Sequence, residues 1–222
     1  MKTLFVWDFH GTLEKDNVLA CQILTNQALR AFNVNKQLDL DETTVLYGLS
    51  WIDFFKYAYP EGDLRLWRKM KDKAVEIQAR ECIVEKYIKQ MDHADEVLAK
   101  TKKAGHSNII LSNTQSRLIK GFVEMVNLDK YIDDYIAVDL HNFTREGKDV
   151  SREKIGALKK YIKDNKFNKI VKIGDRDSDI LVGKALNGTT YYLRTKYNKN
   201  HKVETDPDYI INDLREILRE LR

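Results

Sequence analysis

The sequence predicts an α/β fold: a Rossmann-like parallel sheet core with helices on both faces, plus a small all-helical domain. Three observations carry this. The chain opens on a short unbroken apolar run, Leu4-Phe5-Val6-Trp7, of the kind shown by a strand covered on both faces. From about residue 94 onward, strand-like and helix-like segments alternate, the pattern of a parallel sheet. Between these two parts the chain reads almost entirely as helix. The domain expectation is therefore a core of 1–14 and 94–222 with a helical insert at 15–93.

The elements come in order along the chain. Leu4–Trp7 is closed by Asp8, Gly11 and Thr12, a strand running into a turn. From Asp16 to about Val34, Val18, Leu19, Ile23, Leu24, Ala28, Leu29 and Phe32 recur at helical spacing, with Asp16 placed to cap the start. Shorter helical pieces lie at 41–47 and 51–57. After the turn Pro60-Glu61-Gly62, a long helix is expected over 64–91. A helix at 94–103 ends before Gly105, the residue that accepts a left-handed C-terminal conformation. Strands at 108–111, 135–138, 169–173 and 190–193 then alternate with helices at 117–126, 151–163 and 178–186, and a last helix spans 214–221.

Composition narrows the function classes. The 222 residues are 43% hydrophobic and 32% charged, which supplies a core and excludes disorder. The net charge of +4 is a mild bias toward anionic ligands, far from the basic stripe of a nucleic-acid binder. Cys21 and Cys82 sit far apart in amphipathic stretches, as packed thiols of a reducing compartment do. The N-terminal apolar run is too short for a signal peptide and no stretch reaches the length of a membrane span. The expectation is a cytoplasmic protein, monomer or homodimer, with no membrane and no nucleic-acid partner.

In open α/β sheets, ligands bind beyond the carboxyl ends of the strands. After the first strand comes Asp8-Phe9-His10-Gly11-Thr12, after the second Ser112-Asn113-Thr114, and after the fourth Gly174-Asp175-Arg176-Asp177-Ser178-Asp179. Lys148 precedes the helix that starts at Ser151. Three carboxylates converging from separate strand ends repel one another unless a cation neutralises them. Oxygen ligands without cysteine or paired histidine favour Mg²⁺ over zinc. A carboxylate beside such a cation can attack phosphorus, while a serine hydroxyl and a lysine hold the phosphoryl oxygens. Taken singly, each residue has a plainer reading: Asp8 as a turn cap, Ser112 and Thr114 as helix caps, Asp177 as a first-turn acid complementing a helix dipole. Trp51, Phe54, Phe55, Tyr57 and Tyr59 read first as packing within the helical part, with a substrate wall as the alternative.

These motifs together resemble the haloacid dehalogenase superfamily of hydrolases, in its phosphoglycolate-phosphatase-like branch with a helical cap after the first motif. Asp8-Phe9-His10-Gly11-Thr12 resembles its Asp-x-Asp-x-Thr, Ser112 its second motif, Lys148 its motif lysine, and Gly174-Asp175 through Asp179 its Gly-Asp-x-x-x-Asp. The resemblance implies a Mg²⁺-dependent phosphatase that hydrolyses a small phosphorylated metabolite through an aspartyl phosphate. In it Asp8 is nucleophile and metal ligand, and residue 10 gives its carbonyl to the metal and its side chain to acid–base work. Ser112, Asn113 and Thr12 bind the phosphoryl group, Lys148 neutralises charge, and Asp175 and Asp179 hold the metal. Lys154 is the alternative lysine should the loop fold differently. The sequence departs from the family at His10, where phosphatases carry aspartate. An imidazolium can still protonate a leaving alkoxide. The departure also opens the alternative of a weakly active or non-catalytic ligand-binding or regulatory protein.

Overall fold

The computed structural model describes residues 2–138, 150–199 and 201–222. The chain divides into two compact units, Met1–Glu14 with Gln90–Arg222, and Lys15–Lys89.

The larger unit is a six-stranded, fully parallel sheet. Its strands are β1 (Thr3–Trp7), β4 (Ser107–Ser112), β5 (Asp134–Ala137), β6 (Lys169–Gly174), β7 (Thr189–Leu193) and β8 (Tyr209–Ile211), in the order β5-β4-β1-β6-β7-β8. The short strands β2 (Glu14–Lys15) and β3 (Lys89–Gln90) pair separately, where the chain leaves the larger unit and returns to it. The apolar opening run is the centre of the sheet: Leu4, Phe5, Val6 and Trp7 have no exposed surface. Leu4 and Val6 pack on one face with Ile109, Leu111, Leu158 of α8 (Val150–Asp164) and Val182 of α9 (Asp177–Lys184). Trp7 belongs to the other face. Its indole N–H donates to Asn108 Oδ1 at 3.1 Å, which also accepts from Thr101 on α6 (Ala94–Lys103), so this buried amide oxygen is satisfied. From β1 the chain builds outward to β4 and β5 on one side, then crosses back to build β6, β7 and β8 on the other. The order reverses beside β1, the place where such sheets open a crevice at their carboxyl ends. Helix α7 (Ser116–Met125) comes after β4.

The smaller unit is a packet of α1 (Asn17–Ala31), α2 (Leu40–Leu46), α3 (Trp51–Ala58), α4 (Leu64–Glu81) and α5 (Ile83–Tyr87). Capping boxes begin two of them, Asp39 with Glu42 and Ser50 with Asp53, which satisfies N–H groups that a helix start leaves open. Phe54 and Phe55 are buried under Trp51, with ring centroids at 5.8 and 6.4 Å, whereas Tyr57 is half-exposed and reaches Glu42. The aromatic segment is thus largely core of this unit.

Four expectations are corrected. The long helix over 64–91 is broken at Cys82, which adopts a left-handed conformation (φ 50°), and the chain turns there into α5 and then β3. Asp16 precedes α1 in a left-handed conformation (φ 70°) and makes no side-chain cap hydrogen bond; its carboxylate pairs with Lys89 at 3.3 Å. The closing helix Leu214–Leu221 is 3₁₀ rather than α, and its buried Leu214 and Ile217 stand three apart, the period of that helix. The edge strand β8 was not expected at all. No helix among the described residues is long and apolar enough to cross a membrane.

Candidate active site

The site is built on the turn after β1. Asp8 continues the line of the strand, its N–H donating to Ile173 O of β6 at 2.8 Å. Three successive N–H groups, of Thr12, Leu13 and Glu14, then converge on Phe9 O at 2.9–3.2 Å and wind the chain into a tight loop. Gly11 adopts φ +83°, and a Cβ there would lie 2.5 Å from Asp175 Oδ2, so only glycine lets the loop pass this close to the carboxylate.

Asp175 follows directly on β6 and Asp179 lies in the first turn of α9; Gly174 carries no side chain because that of Asp179 folds back over it. Asp8, Asp175 and Asp179 are all buried and can bring one carboxylate oxygen each to within 4.8 Å of one another. Two lysines enter the same volume. Lys154, on the first turns of α8, places Nζ 3.5 Å from Asp8 Oδ1 and 3.4 Å from Asp179 Oδ1. Lys172, inside β6, sits 2.9 Å from Asp179 Oδ1 and donates to Ile173 O. Both are buried.

The charges are unequally matched. Burial pushes the Asp179 carboxyl up, but Lys154 and Lys172 outweigh it and hold the group below the usual carboxylate range. Asp8 is raised, by burial first and by Asp179 next, against the pull of the lysines and His10. Asp175 is pushed up to about 7 by burial and the neighbouring carboxylates, with Arg176 opposing. Its Oδ1 is buried with no hydrogen-bond partner among the described residues. Burial lowers Lys172, while Lys154 is raised because Asp179 and Asp8 overcome its burial. Both lysines lean on Asp179, so among the described residues Asp8 keeps only the longer contact to Lys154 and Asp175 only Arg176 Nε at 3.8 Å. That orphaned oxygen, the acidic trio and the all-oxygen donors fit a hard divalent cation such as Mg²⁺.

At the end of β4, Ser112 is buried, and its hydroxyl accepts the Thr114 N–H at 3.1 Å, which shapes the turn into α7. Thr12 is buried too, and its hydroxyl has no hydrogen-bond partner among the described residues. The His10 ring lies edge-on to Phe9 and to Phe122 of α7, with centroids at 5.1 and 5.5 Å. Asp177 turns elsewhere: its Oδ1 accepts the N–H groups of Glu204 and Thr205. Asn198 ties the loop after β6 to the end of β7 by donating to Asp175 O and Leu193 O.

The structure thus brings together Asp8, Lys154, Asp175 and Asp179 from three separate chain segments: the turn after β1, helix α8, and the stretch from β6 into α9. Lys148, the lysine favoured from sequence, lies outside the described residues, and the position between Asp8 and Asp179 is taken by Lys154. Lys172 and Glu14 were not foreseen. Lys172 carried a signal, as a lysine flanked by Val171 and Ile173 in a central strand; Glu14, followed by Lys15, Asp16 and Asn17, carried none.

The sequence profile of the haloacid dehalogenase-like hydrolases matches residues 5–193. Curated proteins give no significant sequence match. Among solved structures, similar folds include a predicted phosphatase from Clostridium acetobutylicum (18% identity, TM-score 0.74, covering 100% of this chain and 98% of that one). Others are a predicted phosphoglycolate phosphatase from Haemophilus somnus (16%, 0.79, 100% and 98%) and CbbY from Rhodobacter sphaeroides in complex with phosphate (15%, 0.72, 98% and 96%). At these identities the likeness is one of fold.

Proposed function

The chain belongs to the haloacid dehalogenase-like hydrolase family, and on that footing we propose that it is a Mg²⁺-dependent phosphatase of small phosphomonoesters. The observation that carries the reading is the buried set of Asp8, Asp175, Asp179 and Lys154 at the carboxyl ends of β1 and β6. Phosphatase and phosphate in the names of the similar structures point the same way.

In this reading Asp8 attacks phosphorus as the bond to the leaving oxygen breaks, forming an aspartyl phosphate. His10 gives a proton to the departing alkoxide, then takes one from the water that attacks the phosphoaspartate. Breaking the Asp8–phosphorus bond releases inorganic phosphate and restores the carboxylate. The Ser112 hydroxyl and the N–H groups of the turn through Asn113 hold the phosphoryl oxygens, with Thr12 beside them. Lys154 bridges Asp8 and Asp179, so it steadies the nucleophile and neutralises charge gathered on the phosphoryl group. Asp179 positions that lysine, while Asp8, Asp175 and the His10 carbonyl would hold Mg²⁺. The bound ion supplies charge neutralisation for the carboxylates and the phosphoryl oxygens. Choice of substrate is assigned to the inserted helical unit.

The test is hydrolysis of p-nitrophenyl phosphate and a panel of small phosphate esters, with Mg²⁺ and with EDTA, beside Asp8→Asn. Metal-dependent turnover lost in the variant supports the reading. Equal turnover in both proteins refutes it, and silence on the whole panel favours the non-catalytic alternative that His10 opens.

A further inference from the structure

Glu14 is a charged residue with no exposed surface, standing one residue after buried Leu13. A carboxylate taken out of water needs hydrogen-bond donors to offset the loss of hydration. The winding of the loop onto Phe9 O lays residue 14 back against residue 10, where the two backbones form a bridge. There Glu14 Oε1 accepts the Gly11 N–H at 3.0 Å and lies 3.2 Å from His10 Nδ1. An ionised carboxylate oxygen offers lone pairs only, so the ring nitrogen that pairs with it is one that carries a hydrogen. Phe9 and Phe122 bound the imidazole on other sides, and His10 keeps 19% of its side chain exposed while Glu14 keeps none.

This pairing makes sense of the residue at position 10. An aspartate there would set a second carboxylate beside the buried Glu14 oxygen, and two like charges at that range oppose each other. A histidine instead meets the buried acid with a donor.

We propose that Glu14 is a positioning residue that fixes His10 as its Nδ1–H tautomer and sets its Nε2 as the proton-exchanging atom. The proposal rests on the acid–base role given to His10 above. In the first step the Nε2–H proton passes to the leaving oxygen as its bond to phosphorus breaks; in the second, Nε2 takes a proton from the attacking water. Glu14 keeps its own bond to the ring throughout and touches no reacting atom. The arrangement obeys the general rule that the partner of one ring nitrogen decides the state of the other.

The test has two arms. In protein labelled with ¹⁵N-histidine, long-range proton–nitrogen spectra at alkaline pH report which His10 nitrogen is protonated, with His10→Asn giving the assignment. Nδ1–H is expected in the wild type and in Glu14→Gln, which keeps an acceptor oxygen, and its loss is expected in Glu14→Leu. The second arm compares an alkyl phosphate, whose leaving group needs a proton, with p-nitrophenyl phosphate, whose leaving group does not. Glu14→Leu should lower kcat on the alkyl ester by about 10–10²-fold, less than the ~10²–10⁴-fold of a whole acid–base group because the imidazole itself remains, and far less on the aryl ester. Equal losses on both esters, or an Nε2–H wild type, overturn the proposal. Should Glu14→Leu not fold, Glu14→Met, closer to glutamate in length and without an acceptor oxygen, takes its place in both arms. Should no ester be hydrolysed, the proposed function fails while the tautomer still answers for Glu14.

Discussion

Removing the charge of Asp175 should stabilise the metal-free protein at alkaline pH while removing its response to Mg²⁺. The carboxyl is almost wholly buried, and its pKa is raised from 3.8 to about 7 by burial and by neighbouring carboxylates. The folded state therefore keeps the proton across a window, from pH 3.8 to about 7, in which the unfolded chain has released it. The favourable contribution is complete below that window and gone above it. Three units at about 1.36 kcal/mol each make the ionised carboxylate unfavourable by roughly 4 kcal/mol at pH 8 without metal. Asp175→Asn removes that penalty with little change of shape. A midpoint rise on the order of 10 °C is expected, at about 2–4 °C per kcal/mol for a chain of this size. The assay is thermal unfolding in EDTA at pH 5 and pH 8, repeated with Mg²⁺. The difference between wild type and variant should be largest at pH 8 and less than half as large at pH 5. Mg²⁺ should raise the wild-type midpoint at pH 8 and leave Asp175→Asn unmoved. A variant no more stable than the wild type at pH 8, or equal Mg²⁺ shifts in both, would refute the reasoning.

Other substitutions separate the parts of the site. Lys154→Met removes a buried cation from between Asp8 and Asp179, and should lower kcat by about 10²-fold or more, read in Mg²⁺-dependent hydrolysis. Lys172→Met breaks one arm of the Asp179 pairing, and should lower urea-unfolding stability by about 3–5 kcal/mol. Gly174→Ala drives a methyl group into the Asp179 side chain; loss of stability by about 1–3 kcal/mol together with loss of turnover is expected from denaturation and assay in parallel. Ser112→Ala removes the hydroxyl proposed to hold the phosphoryl group, which is also the acceptor of the Thr114 N–H; a fall in kcat/KM of about tenfold, on the order of one good hydrogen bond, should be seen in steady-state kinetics.

The parallel sheet was readable because a strand buried on both faces is apolar at every position, and Leu4–Trp7 is such a run. Asp8, Ser112, Asp175 and Asp179 were legible from their places at or just past the strand ends, since topology alone carries those ends to one side of the sheet. Phase within elements was harder. Lys154 stands one helical turn before buried Leu158, on the stripe of α8 that faces the sheet, but a lysine on an apolar stripe competes with many surface lysines for the same reading. Lys172 was hidden by its strand, where both faces are covered and alternation gives no guide. Glu14 depends on the chain folding back within a short loop, which no periodicity reports. The break at Cys82 escaped because no glycine or proline marks it.

The most direct test of the central claim is acid quenching of the wild-type protein during turnover of a phosphomonoester, with mass analysis of the peptide that carries Asp8. The account predicts one phosphoryl group on Asp8, formed only with Mg²⁺ present and absent from Asp8→Asn, which turns over no substrate. An Asp8→Asn protein that hydrolyses the ester at the wild-type rate, or a phosphoryl group found on another residue, would contradict it.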